Sequence, residues 1–380
     1  MGPLHGIKIV ELAGIGPGPM CAMLLADLGA TVLRVDRKQA SGLGIERPPR
    51  SDLLLRSRKS IALDLKNPRA IEAALQLIGR ADALIEGFRP GVTERLGLGP
   101  EVCLARNPRL IYGRMTGWGQ SGPLANTAGH DLGYIAITGV LNAIGRSGAP
   151  PSIPLNLIGD YGGGALYLAL GLLAGILEAR GSGVGQVVDA AIVDGTASLA
   201  STFFGMHAAG IWRPGRGANF TDSGSHFYEV YECADGKWLS VAALEAKFYA
   251  ELLRLLEIDP ATLGKQMDPA AWPAAKRIVA DRIRTRTRDE WARVFEGSDA
   301  CVAPVLDFDE ATRHPQLRAR ETLIEIDGIH QPAPAPRFSR TVPDTPSPPA
   351  PVTPENTRAA LDGWCSAEEI ASWRSAGLID

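Results

Sequence analysis

The N-terminal forty residues set the strongest limit on the fold, because apolar runs there alternate between strand and helix spacing. Lys8–Leu12 reads as a short strand, 14–19 as a glycine and proline turn, 20–28 as a helix and 31–35 as a second strand. Two strands joined through a helix lie side by side and parallel, so this stretch is a βαβ unit. The alternation continues with a strand at 61–65, a helix at Pro68–Ile78, and strands at Ala83–Glu86 and 109–115. Such an order predicts an α/β fold with a parallel sheet covered on both faces.

The first turn, Gly14-Ile15-Gly16-Pro17-Gly18-Pro19, starts like a dinucleotide fingerprint, and Asp36 lies about twenty residues on. Pro19 stands where the third glycine belongs, and Pro17 and Pro19 carry no N–H to offer a pyrophosphate. Arg37 follows Asp36 at the C-terminal end of a strand, where ligands sit in such sheets; it reads either as a grip for a ribose phosphate or as a solvated loop arginine. Arg56, Arg58, Lys59 and Lys66 add cationic density nearby, with Arg89 and Arg95 beyond them, and read either as a site for a phosphate-bearing cofactor or as a solvated basic loop. Coenzyme A carries a ribose phosphate that such a surface suits.

Composition narrows the function. The chain has 380 residues, 45% of them hydrophobic, with a formal net charge of -3, which suits a globular enzyme of two domains and gives no footprint for nucleic acid. The longest apolar stretch, near 165–177, is short of a membrane span, and residues 1–5 show no secretion signal, so a cytoplasmic location is expected. Five cysteines are scattered without a Cys-x-x-Cys pair; they read as reduced, and no metal site is expected.

Two proton-handling side chains sit among glycines: His130 in Gly129-His130-Asp131, and Asp160 in Gly159-Asp160-Tyr161-Gly162-Gly163-Gly164. Imidazole and carboxylate are tuned readily to exchange protons near neutral pH, and glycine lets backbone and substrate come close. A duller account stands beside each: a hydrogen-bonded or surface histidine, and a carboxylate at the N-terminus of the apolar helix read at 165–179. Both accounts of Asp160 can hold, because a helix start also offers N–H groups to a developing oxyanion, here around Gly159, Tyr161 and Gly162.

Residues 187–200 read as another buried segment. Strand-like runs at 228–234 and 237–242 flank Asp235-Gly236, a hairpin signal. Glu245 then opens the helix Ala246–Leu256, with Phe248, Leu252, Leu255 and Leu256 on one face; its carboxylate also suits the helix dipole. Residues 227–305 read as a small α+β domain. Nine prolines between Pro332 and Pro354 hold the chain extended as a surface strap, and a last helix at Ala367–Ser375 is closed by Gly377.

Several blocks resemble a known family: Val10-Glu11-Leu12-Ala13-Gly14-Ile15-Gly16-Pro17-Gly18-Pro19, residues 86–100, Arg114-Met115-Thr116-Gly117-Trp118-Gly119-Gln120, Gly129-His130-Asp131, Pro154-Leu155-Asn156, Gly185-Gln186-Val187-Val188-Asp189-Ala190 and Asp299-Ala300-Cys301-Val302-Ala303-Pro304-Val305. They look like the family III coenzyme A transferases, and within these most like the α-methylacyl-CoA racemase branch, from Leu4 to about Thr341. The resemblance implies an intertwined homodimer. A large Rossmann-like CoA-binding domain, 1–200, would be completed by 320–380; 201–226 would be a linker to the small domain and 306–319 the return linker. It implies that His130 and Asp160 are the acid/base pair, that Glu245 comes from the partner's small domain and that Asn156 supports the histidine. Contacts to coenzyme A would fall on Arg37, on Leu63, Asp64, Leu65 and Lys66, on Arg95, and on Gly129, Asp131, Leu132, Gly133 and Tyr134.

The implied reaction interconverts (2R)- and (2S)-2-methylacyl-CoA: one group takes the α-proton, the other returns one to the opposite face, and no cofactor is needed beyond the CoA of the substrate. CoA transfer is the alternative, with an aspartate at the position of Asp160 as nucleophile forming an acyl anhydride. His130 favours racemisation, since the transferases do not usually carry it. A non-catalytic nucleotide-binding module would make the matches at His130, Asp160 and Glu245 coincidental. One departure stands out. The racemases usually carry Asp-Gly-Gly-Ala-Pro where this chain has Asp222-Ser223-Gly224-Ser225-His226, a loop expected near the acyl group, where it would alter selectivity.

Overall fold

The computed structural model describes residues 1–39, 42, 44–45 and 47–379. It divides into two compact units: Met1–Ile135 with Leu155–Leu199 and Pro315–Asp380, and Ala136–Pro154 with Ala200–His314.

The first unit is built on six parallel strands: β1 (Lys8–Leu12), β2 (Thr31–Asp36), β3 (Lys59–Ala62), β4 (Ala83–Glu86), β5 (Ile111–Thr116) and β6 (Gln186–Ala191), in the order β3-β2-β1-β4-β5-β6. All four residues of β4 are buried, as a central strand with two covered faces requires. The order reverses between β1 and β4, so the crevice beyond their C-terminal ends is where such a sheet receives a ligand. Helix Pro17–Asp27 begins inside the stretch expected to be a turn, because Pro17 fills a first-turn position where its missing N–H costs nothing. Helix Pro68–Ile78 starts after Asn67, whose side chain accepts from the Arg69 N–H.

The segment expected to be uniformly buried at 187–200 is instead an edge strand, β6, followed by helix Ile192–Leu199. The triglycine expected to precede a helix is itself helical: Leu157–Ala165 is a wide π-helical segment that runs straight into helix Leu166–Ser182. The joined run, Leu157–Ser182, has 26 residues and is long and apolar enough to cross a membrane, contrary to the expectation that no stretch reaches that length. Leu168, Leu172 and Ile176 on it pack against Ile111, Met115 and Ala190 of the sheet, while Leu166, Leu170 and Leu177 stand exposed. Each fully buried leucine or isoleucine here contributes about 1.5–3 kcal/mol.

In the second unit, β7 (Tyr228–Glu232), β8 (Trp238–Ala242) and β9 (Val302–Pro304) form an antiparallel sheet. Helices Ala246–Leu256, Trp272–Ile283 and Arg288–Phe295 enclose a core of Phe227, Leu239, Val241, Leu252, Val279 and Trp291. Residues 136–154, read from sequence as part of the large domain, pack here: Arg146 pairs with Glu229 at 2.8 Å, and Arg216 donates to the Asn142 carbonyl at 2.9 Å. The stretch read as a linker, 201–226, is also ordered. It carries helix Ser201–Ala208 and a turn in which Asp222 accepts from the Gly217, Asn219 and Gly224 amides.

The C-terminal return adds β10 (Leu323–Ile326) and β11 (Ile329–Pro332) to the first unit as a hairpin. The proline-rich stretch then runs without helix or strand, anchored where the Ser57 N–H donates to the Ser347 carbonyl at 3.0 Å. Helix Pro354–Leu361 follows, unforeseen because Pro354 counts with the strap; it is in fact the first residue after the Thr353 cap. Trp364 and Trp373 close the core below it.

Candidate active site

The loops at the C-terminal edge of the parallel sheet converge on Asp160. This residue is half-buried at the start of the π-helical segment, and Asn156 Nδ2 donates to its Oδ2 at 3.3 Å. Gly16, at the end of the loop after β1, has a φ of 67°, and a Cβ on it would come within 3.3 Å of Asp160 Oδ2. Glycine there serves both the left-handed backbone and the close approach. Burial raises the pKa of Asp160 above the usual carboxylate range; Asn156 opposes this, the charge of Asp131 adds to it, and His130 opposes it.

His130 is exposed and stands directly before helix Asp131–Ile137, its carbonyl accepting from the Gly133 and Tyr134 amides at 2.8 and 3.2 Å. Gly129 is half-buried against an edge-to-face pair, Trp118 and Tyr134, with ring centroids 4.7 Å apart. Burial, and then the charge of Asp160, raise the pKa of the Tyr134 phenol. The structure thus brings His130, Asp131, Tyr134, Asn156 and Asp160 into one place. Trp118 and Gly16 belong to this setting and were not singled out from sequence; the glycine in the first turn was a visible signal, and the ring pairing was not.

The residues expected to meet coenzyme A separate into two groups. Arg37, Asp64, Lys66, Arg95, Leu132 and Gly133 are exposed, and Arg37 lies over the Phe88 ring at 5.8 Å. Leu63 is 1% exposed and part of the core, so only its backbone can face a ligand; Leu65 is partly buried against the same core. Asp64 Oδ1 accepts from the Lys66 amide at 3.1 Å, which shapes this turn after β3. Arg56 and Arg58, read as phosphate-gripping density, are instead buried structural cations: Arg56 pairs with Asp27, and Arg58 with Glu11.

Other expectations change. The hydrogen bond of Asn156 goes to Asp160 and not to the histidine. Of the amides expected to meet an oxyanion, Tyr161 N–H is already engaged with the Asn156 carbonyl at 3.3 Å, Gly159 is buried and Gly162 half-buried; the Asp160 N–H between them is held by Asp131 Oδ2 at 2.7 Å. Asp131 is buried, so its side chain serves this internal bond. In the second unit, Glu245 is exposed at the N-cap of helix Ala246–Leu256 with its side chain free of any cap bond. Ser225 and His226 face that unit's own core. His226 is 0% exposed with Nε2 2.7 Å from the Tyr249 hydroxyl, and Ser225 Oγ donates to the Phe220 carbonyl at 2.9 Å. Neither side chain is open to line an acyl pocket directly, while Ser223 of the same loop is half-buried with a φ of 69°.

An α/β unit with a half-buried carboxylate beside the loop after β1 fits a ligand-binding enzyme, and comparison with known proteins gives the class. The chain matches the description CoA-transferase family III over residues 4–357, and it belongs to that family. It is 44% identical to the mouse protein named alpha-methylacyl-CoA racemase, covering 99% of this chain and 97% of that one, and 42% identical to the human protein of the same name with the same coverage. A crystal structure of a CaiB/BaiF family protein from Brucella suis aligns with a TM-score of 0.81 at 25% identity, over 96% of this chain and 100% of that one.

Proposed function

We propose that this chain is an α-methylacyl-CoA racemase that interconverts the (2R) and (2S) forms of 2-methylacyl-CoA thioesters. The observation that carries the reading is a half-buried Asp160 of raised pKa, within electrostatic reach of His130, in a chain 44% identical along its length to a racemase of that name. One side chain removes the α-proton of the thioester, leaving an enolate, and the other delivers a proton to the opposite face; the reverse sequence serves the other epimer. A carboxylate whose pKa is raised by burial is a stronger base when ionised and an available acid when protonated, which suits both directions. The chemistry asks for no metal, flavin or nicotinamide.

In this reading Arg37, Lys66 and Arg95 steer the phosphates of coenzyme A, and the backbone of residues 63–66 lies along it. Glu245 reaches the site from a second copy of the chain in an interlocked homodimer. Exposed apolar side chains support that assembly: Leu166, Leu170 and Leu177 in the first unit, and Phe203, Phe204 and Ile211 in the second. In this reading the enzyme acts in the cytoplasm on acyl groups branched at C2.

The test is incubation of a single epimer with no acceptor acid present, followed by chiral separation. Formation of the second epimer supports the racemase. Transfer of CoA to an added carboxylic acid without epimerisation moves the assignment to a transferase with Asp160 as nucleophile.

A further inference from the structure

The residue after His130 in the chain reaches the other proton-handling residue in space. Asp131 is 7% exposed, opens helix Asp131–Ile137, and its Oδ2 accepts the backbone N–H of Asp160 at 2.7 Å, a bond spanning 29 residues. Gly159 is shaped around this contact: a Cβ on it would overlap the Asp131 carboxylate and come within 2.9 Å of Ile135 Cγ2. The other oxygen of the same carboxylate, Oδ1, is buried with no hydrogen-bond partner among the described residues. A buried carboxylate with one oxygen unsatisfied is costly to keep, so its place calls for a purpose beyond closing a turn.

We propose that the Asp131 carboxylate is a positioning group for proton transfer, fixing the backbone of Asp160 relative to the adjoining His130. One buried side chain thereby ties together the two groups that must stand on opposite faces of one carbon. This rests on the racemase reading and deepens it, since racemisation needs both groups aligned with the same α-carbon, whereas a nucleophilic aspartate alone does not. An error of one ångström in such an alignment costs about 10²-fold in rate.

The charge of Asp131 acts in the same direction as the burial of Asp160, holding its proton more tightly. The titratable and charged groups on the surrounding elements are few. The His130 loop brings His130; helix Asp131–Ile137 brings Asp131 and Tyr134, and Arg89 acts on that tyrosine. The segment itself carries half-buried Tyr161, helix Leu166–Ser182 that continues it carries half-buried Tyr167 with exposed Glu178 and Arg180, and helix Ile192–Leu199, packed on the same segment, carries Asp194, which is exposed. Helix Pro17–Asp27 carries buried Cys21 and the paired Asp27; β5 carries Arg114, paired with Glu86 and Glu94, and β6 carries Asp189, which accepts from the Gln120 amide.

The test compares Asp131→Asn, which keeps an acceptor without the charge, with Asp131→Ala, which removes both, using α-proton exchange against pH for each epimer. With Asp131→Asn the limb governed by Asp160 is expected about half a pH unit or more lower, with KM within about twofold of the parent enzyme. With Asp131→Ala kcat is expected to fall about tenfold or more at similar KM. A wild-type pH limb and wild-type kcat in the asparagine variant would overturn the proposal, as would changes confined to KM in both variants. Should the alanine variant fail to fold by thermal melting, the asparagine variant carries the test. NMR titration of 13Cγ-aspartate-labelled protein, with Asp160 assigned by its loss in Asp160→Asn, reads the same shift without turnover. Absence of exchange in the parent enzyme would thus count against racemisation, and an unmoved Asp160 resonance against the role of Asp131.

Discussion

Asn156 Nδ2 lies 3.3 Å from Oδ2 of Asp160, four residues on, and is a hydrogen-bond donor that favours the ionised carboxylate against its burial. Removing it leaves burial and the Asp131 charge to act alone. Asn156→Ala is therefore expected to move the Asp160 limb of the pH–rate profile upward, opposite to Asp131→Asn, and to lower kcat about tenfold, the worth of one hydrogen bond to a charged group. Steady-state kinetics from pH 5 to 9 check both the direction and the size; a downward shift would contradict the account.

Stability of the second unit should depend on pH through His226. Burial, and then the nearby Lys276 charge, push its pKa down to about 4. In the unfolded chain a histidine titrates near about 6.5. Between those values the unfolded chain takes up a proton that the folded chain refuses, so stability is full above about pH 6.5 and is lost as the pH falls towards about 4. His226→Gln keeps a neutral group within reach of the Tyr249 hydroxyl and is expected to flatten this slope. Urea unfolding at pH 7 and pH 5 measures it; equal losses in both proteins would count against the assignment.

Arg56 joins three parts of the first unit: it pairs with Asp27 and donates to the Gln331 side chain at 3.0 Å and the Pro332 carbonyl at 2.7 Å. Both members of the ion pair are buried, so removing one strands the other. Asp27→Asn is expected to destabilise the first unit by about 3–5 kcal/mol. Denaturant unfolding followed by tryptophan fluorescence gives the value, and a loss below about 1 kcal/mol, as for a surface pair, would refute it.

Arg37 and Lys66 are exposed beyond the C-terminal ends of β2 and β3. Charge reversal at either, Arg37→Glu or Lys66→Glu, is expected to raise KM about tenfold with kcat nearly unchanged, more at low salt than at high salt. A fall in kcat at constant KM would place these residues elsewhere than on coenzyme A.

Where local signals and tertiary demands agree, the chain was readable. Helix Pro68–Ile78 has an asparagine cap and a proline start, and helix Ala246–Leu256 an apolar stripe; both boundaries fall as read. The buried face of the second differs in part, since Tyr249 and Leu253 point inward and Phe248 and Leu255 are only partly covered, a matter of rotation about the helix axis that spacing leaves loose. Glycines 162–164 misled because their poor helix propensity is overridden by close packing: a Cβ on Gly163 would meet Thr196 and one on Gly164 Ile192. Arg56 and Arg58 look like a basic loop in one dimension, and only the fold supplies Asp27 and Glu11. His130 and Asp160 could be picked out by their glycine settings, yet the grip of Asp131 on Asp160 spans 29 residues and has no local trace except the glycine before Asp160.

The most direct test of the central claim is exchange at C2 in deuterated water. The enzyme is incubated separately with (2R)- and (2S)-2-methylacyl-CoA, without an acceptor acid, and followed by NMR and chiral analysis. The account predicts deuterium entry at C2 and convergence of both epimers on one ratio, with both lost in His130→Ala and Asp160→Ala. Retention of the C2 proton and of each starting configuration in the parent enzyme would contradict it.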